Sequence, residues 1–171
     1  MASTQTWSEG NGSNAGTETT SRSECNWKNV DDSTTAYSSS PITAGNNSYH
    51  KVQGVKFAGT FNTLSSLSFY ASTATPGTGL TVKAGVLSST TGATPSTSST
   101  GDSNIPTSAG SLTANFIATS TWTSSFAAGS STLTSSAAGY SQPLRTQLQT
   151  TGSAAPGDIT SVTITASWTE S

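Results

Sequence analysis

Few residues in this chain carry groups able to do chemistry. His50 is the single histidine and Cys25 the single cysteine. A histidine acting as a base needs a placed nucleophile and an orienting acid. His50 stands beside Tyr49 at the start of a strand pattern with no such spacing around it, and reads as a surface or hydrogen-bonded residue. Cys25 has Arg22 and Lys28 close in sequence, but a reactive thiol needs cations close in space; a buried, inert thiol is the expectation. Alone, it excludes an internal disulfide and any multi-cysteine zinc site. Asp31 and Asp32 are adjacent, so on an extended backbone they point to opposite sides and make poor acid–base partners. Their surroundings match no calcium-loop spacing. Gly10-Asn11-Gly12 is not followed by Gly-Lys-Ser/Thr and is no phosphate loop. The expectation is a chain with no catalytic residues, no metal and no cofactor.

The aromatic residues are the other candidates. Trp7, Trp27, Trp122 and Trp168, with Tyr37, Tyr49, Tyr70 and Tyr140, offer stacking platforms of the kind found in sugar-binding β-sandwiches. In a chain so poor in Leu and Ile, they serve equally to supply missing core area, since each ring buries roughly 150–250 Å². The second use is the stronger expectation.

The elements that position these residues are strands. The 171 residues are 31% hydrophobic and 8% charged, and roughly two in five are Ser or Thr. Disorder with so few hydrophobic residues usually goes with strong charge, whereas the net charge here is −2. That charge also gives no footprint for nucleic acid or an anionic membrane. No apolar run approaches the roughly 18 residues of a membrane span, and Met1 to Gln5 shows no signal-peptide pattern. Apolar residues instead fall in short alternating runs, with β-branched Thr suited to the solvated faces.

Strict alternation marks Asp158 to Trp168, with Val162, Ile164, Ala166 and Trp168 in one phase, and Leu144 to Gln149 before it. The Gly/Ala/Pro-rich stretch between them predicts a hairpin with a longer loop. Tyr49 to Phe61 places Lys51, Gln53, Val55 and Phe57 in one phase and Val52 and Gly54 in the other. Leu64 to Tyr70, Leu80 to Leu87 and Leu112 to Phe116 follow, with weaker candidates at Thr4 to Ser8, Thr19 to Trp27 and Ser120 to Phe126; Thr121 to Ala128 is a candidate turn or short helix. The fold class is therefore all-β: a single two-sheet antiparallel sandwich of about eight strands over residues 1–171, jelly-roll-like or immunoglobulin-like. The expected core is Val55, Phe57, Leu67, Phe69, Val82, Leu144, Leu148, Val162, Ile164 and Trp168. Two segments have spare length: a flexible N-terminal stretch over 1–16 and a long loop over 88–110.

Four stretches carry a resemblance. Thr6-Trp7-Ser8-Glu9-Gly10-Asn11-Gly12 opens the chain; Pro41 to Tyr49 and Val55 to Phe61 lie in its middle; Gly157-Asp158-Ile159 through Val162 to Glu170 closes it. In overall style these resemble the small all-β virion structural proteins of tailed bacteriophages, either capsid decoration (cement) proteins or neck and tail accessories. The resemblance implies a non-enzymatic protein made in the host cytoplasm and ending on the capsid surface. Its partners would be the major capsid protein or other virion proteins and further copies of itself as a dimer or trimer, with no nucleic acid and no membrane. A neck, tail or fibre component and a carbohydrate-binding adhesin module are the alternatives. The partner-contacting residues expected from the two spare segments are Trp7, Glu9 and Asn11 in the first and Ser96, Thr100 and Asp102 in the second. With few charges, attachment is expected to rest on shape, backbone hydrogen bonds and apolar anchors.

Overall fold

The computed structural model describes residues 2–126, 129–134, 138–155, 157 and 160–171. Their strands are β1 (Ser3–Asn11), β2 (Thr17–Thr20), β3 (Lys51–Gly59), β4 (Thr63–Ala71), β5 (Leu80–Val86), β6 (Ser103–Asn104), β7 (Leu112–Thr113), β8 (Phe116–Ile117), β9 (Thr132–Thr134), β10 (Gly139–Ser141), β11 (Leu144–Thr150) and β12 (Ile164–Glu170). They form two antiparallel sheets. The larger runs β2-β1-β3-β11-β5-β6, with β10 also on β3 and β8 on β10; the smaller runs β12-β4-β7 with β9 also on β4. The fold is the expected β-sandwich. The strand expected at Leu112 to Phe116 is split into β7 and β8, in different sheets; the additional strands are the two- and three-residue pieces β6, β9 and β10, too short to show alternation.

β3 organises the larger sheet. Along one side it pairs with β1 from Gly59↔Ser3 to Val52↔Gly10. Its other side is shared, β11 taking Lys51 to Gln53 and β10 taking Lys56 and Phe57. In the gap between those partners the Val55 N–H donates to Ser141 Oγ at 2.9 Å, which spares a buried donor from going unmet.

Seven of the ten expected core residues, Val55, Phe57, Leu67, Phe69, Val82, Leu144 and Leu148, are buried between the sheets; Val162, Ile164 and Trp168 are half-buried and pack against them. Phe57 anchors this core, its ring 5.3 Å from Phe116 and 5.2 Å from Trp168, both edge-on. The phase of β4 changes from Leu64 to Leu67 at Ser66, whose φ is 57°. The pairing with β12 shifts between Ser167 and Thr169, so Ser66 and Leu67 face Trp168 alone, a bulge that keeps Trp168 turned inward.

A second core covers the opposite face of β3. Val52 packs there with Ala15, Ile117, Trp122, Phe126 and Tyr140. The site is cut by glycine: a Cβ on Gly54 would lie 2.8 Å from the Trp122 ring and one on Gly10 2.7 Å from it. The Trp122 indole N–H donates to the Ala15 carbonyl at 2.8 Å, and its ring meets Phe126 and Tyr140 edge-on at 5.0 and 5.6 Å.

Four expectations are corrected. Residues 3–11 are not a flexible stretch: β1 is paired on both sides, because Gly10 makes the room that Trp122 fills. β11 and β12 are not a hairpin; β11 pairs with β3 and β5, β12 with β4 in the other sheet. Alternation identifies strands and says nothing of their partners. The start of the last run, Asp158 and Ile159, lies outside the described residues, and the strand itself begins at Ile164. The weak strand candidate at Ser120 to Phe126 is not a strand: residues 124 and 125 form a turn, the alternative expected there, and Trp122 and Phe126 are drawn into the second core; Ala127 and Ala128 lie outside the described residues.

Candidate functional site

After β2 the chain turns back over one end of the larger sheet's inward face. Ser21 and Asn26 take positive φ, 58° and 44°, a conformation asparagine tolerates better than most residues. The Arg22 N–H donates to the Trp7 carbonyl at 2.9 Å. The Trp27 indole N–H donates to Thr146 Oγ1 at 3.1 Å, with Cys25 Sγ 3.5 Å from the same hydroxyl. Between this segment, the sheet and residues 161–164 lies a groove of about 590 Å³. Trp7, Trp27 and Tyr37 line it with Leu148, Val162 and Ile164; Arg22, Glu24, Asn26 and Gln53 supply its polar atoms.

Beneath the groove is a buried network of charge. Lys51 Nζ donates to Glu9 Oε1 at 3.0 Å and to the Asp32 carbonyl at 2.9 Å; neither Lys51 nor Glu9 exposes any side-chain surface. Asn11 Nδ2 bridges Glu9 Oε1 at 3.0 Å and Asp31 Oδ1 at 2.9 Å. The second Glu9 oxygen has no hydrogen bond and lies 3.8 Å from Arg22 Nε. Lys28 is fully buried and reaches Asp32 Oδ1 at 2.9 Å and the Thr35 carbonyl at 2.6 Å. The Thr35 hydroxyl, then Lys28, then the Thr35 N–H hold the Asp32 carboxyl well below the usual carboxylate range. Burial pushes the Cys25 thiol up to about 12, against the pull of its Thr146 contact. An inert thiol results.

The expected contact residues divide. Trp7 lines the groove, its ring 5.9 Å from Phe69. Glu9 and Asn11 are buried and engaged internally, so they support the groove floor and present no surface to a partner. The loop over 88–110 is fastened down: the Ser96 carbonyl accepts from the His50 N–H at 3.0 Å, the Thr100 N–H donates to Gln147 Oε1 at 3.2 Å, and Asp102 accepts two bonds from Arg145 at 2.8 Å each. His50 Nε2 meets the Ser98 carbonyl at 2.8 Å, and burial lowers the histidine pKa. Trp27 and Trp122 are buried as core area requires. Tyr37 is among the aromatic candidates and lines the groove; sequence reading weighs Arg22 only as a neighbour of Cys25 and does not single out Gln53 as a binding residue. The signal for Gln53 was present, a polar residue in phase with Val55 and Phe57.

Comparison of the chain with protein-family models, curated proteins and solved structures finds no match.

Proposed function

We propose that this is a non-enzymatic structural protein of a bacteriophage virion, a capsid decoration protein that binds the outer surface of the assembled head. The resemblance of its opening, middle and closing segments to such proteins supports the reading, and one structural observation carries it. Charge is paired off within the chain. Beyond the network of Glu9, Arg22, Lys28, Asp31, Asp32 and Lys51, Asp102 pairs with Arg145, Glu18 accepts from Ser8 and Tyr140, and Glu170 accepts from Ser3. Lys83 donates to Asn104, and Lys56 lies over the Tyr140 ring at 5.4 Å. Among the described residues, Glu24 is the charged side chain without an intramolecular partner. The surface left for a partner is hydroxyl-rich and nearly neutral, suited to docking by shape on a repeating lattice, where many weak contacts add through effective concentration. Binding only the assembled shell would stabilise that state. β2 and β12 lie at sheet edges, and strand addition there is the route to a dimer or trimer.

The test is co-sedimentation with purified heads and with purified tails at 0.1 and 0.5 M NaCl. Binding to heads at both salt concentrations is expected, because screening over about 8–10 Å matters little where few charges meet. Binding to tails alone would move the protein to the neck or tail. Release from heads between the two concentrations would overturn attachment by shape.

A further inference from the structure

We propose that the groove over the Glu9–Lys51 network is a binding site for a neutral saccharide. The inference goes beyond placement on a virion and stands or falls separately from it. It begins with Gln53. This side chain lies on β3 with Glu9 opposite on β1 and Leu144 opposite on β11. It is 4% exposed and lines the groove. Its amide makes no intramolecular hydrogen bond among the described residues, while the neighbouring Asn11, Lys51 and Thr146 side chains and one Glu9 oxygen are engaged. The amide is not among the enclosed polar atoms that lack a partner; it lines the groove, where a ligand can meet it. A carboxamide offers both a donor and an acceptor, the complement of adjacent hydroxyl groups on a sugar ring.

The walls suit the remainder of such a ligand. Trp27 has given its only polar atom to Thr146, so what it adds to the groove is carbon surface, as does the half-buried Trp7. Tyr37 is the most exposed large aromatic residue among those described, at 36%, and stands on the rim at a single 3₁₀ turn, Tyr37–Ser39. Aromatic surface pairs with the C–H faces of a pyranose, and a few placed polar groups then fix orientation. The charges argue for neutrality. Arg22 faces Glu9 at 3.8 Å and is compensated by it, while Glu24 on the rim repels anions and accepts from hydroxyl groups. A volume of about 590 Å³ falls within the range of small-ligand clefts.

The test uses an array of neutral and sialylated oligosaccharides, followed by calorimetry with the best neutral binder. The full chain is compared with Gln53→Leu and Tyr37→Ala. Gln53→Leu keeps the volume and removes the unpaired amide, so its unfolding midpoint should equal or exceed the parent's while affinity falls at least tenfold. Tyr37→Ala, on the rim, should weaken binding roughly fivefold with no change in midpoint. The proposal is overturned if no oligosaccharide binds, if only acidic ones bind, or if Gln53→Leu binds as tightly as the parent.

Discussion

Lys51→Met tests the buried network directly. Lys51 makes two bonds, 3.0 Å to Glu9 Oε1 and 2.9 Å to the Asp32 carbonyl, and both ion-pair partners are fully buried. Removing one partner of a buried pair typically costs about 3–5 kcal/mol, because the other charge is left uncompensated. Glu9 would keep Asn11 at 3.0 Å and the Arg22 guanidinium at 3.8 Å, which argues for the lower end, about 3 kcal/mol. For a domain of this size that corresponds to a fall of roughly 6–12 °C in Tm. Urea unfolding followed by tryptophan fluorescence measures it. The double substitution Glu9→Leu with Lys51→Met removes both charges and should lose less than Lys51→Met alone, since replacing a buried pair by apolar groups is often near neutral. If Lys51→Met costs under about 1 kcal/mol, or if the double variant loses the sum of the two single losses, the network is not the coupled unit described.

Three further outcomes follow from the same geometry. Gly54→Ala places a methyl group 2.8 Å from the Trp122 ring and should cost about 1–3 kcal/mol through overpacking, with altered near-ultraviolet circular dichroism from the second core; an unchanged spectrum and midpoint would contradict it. Asp32 is ionised in the fold well below its usual 3.8, so its contribution is full above that value, declines as pH falls below it and is gone once pH has passed the lowered folded-state value. The stability gap between the parent and Asp32→Asn should therefore be full at neutral pH and shrink below about pH 4; a gap independent of pH would refute the assignment. With its thiol pushed up to about 12, Cys25 should react with iodoacetamide at pH 8 at least about a hundredfold more slowly in the native protein than in urea, as mass spectrometry of timed samples would show.

The strands were legible where one face met water and the other the core. β4, β5 and β11 announce themselves by alternation, and the inward residues Val82, Leu144 and Leu148 are read correctly from it. β1 was legible only as a weak run at Thr4 to Ser8, since Glu9, Gly10 and Asn11 look like the start of a loop. They belong to the strand because the Glu9 carboxylate has Lys51 beside it and because Gly10 leaves space for a tryptophan more than 100 residues away in sequence. Neither fact is local. The loop over 88–110 misled for the same reason: its Ser and Thr residues are common solvent-facing types, yet carbonyls at Ser96 and Ser98 bond to His50, and Asp102 locks onto Arg145. Arg145 can be reached because Gly85, its partner on β5, has no Cβ to collide with the Asp102 carboxylate.

β3 shows why the site itself was hidden in plain pattern. Its inward phase reads Lys51, Gln53, Val55, Phe57, half polar and half apolar, which looks like a strand leaving the core. The structure keeps all four buried by changing what covers them: the smaller sheet and the short strand β8 over Phe57, the segment of residues 22–32 over Lys51 and Gln53. A cover made of irregular chain can supply charges and carbonyls that a sheet cannot, so Lys51 is satisfied by Glu9 and by the Asp32 backbone. It also fits less closely than a sheet, and the groove is the space left over. Gln53 sits where the two kinds of cover meet. In a chain whose charged side chains are almost all engaged internally, the nearly buried Gln53 amide on the groove is a position where a single substitution separates binding chemistry from structural stability.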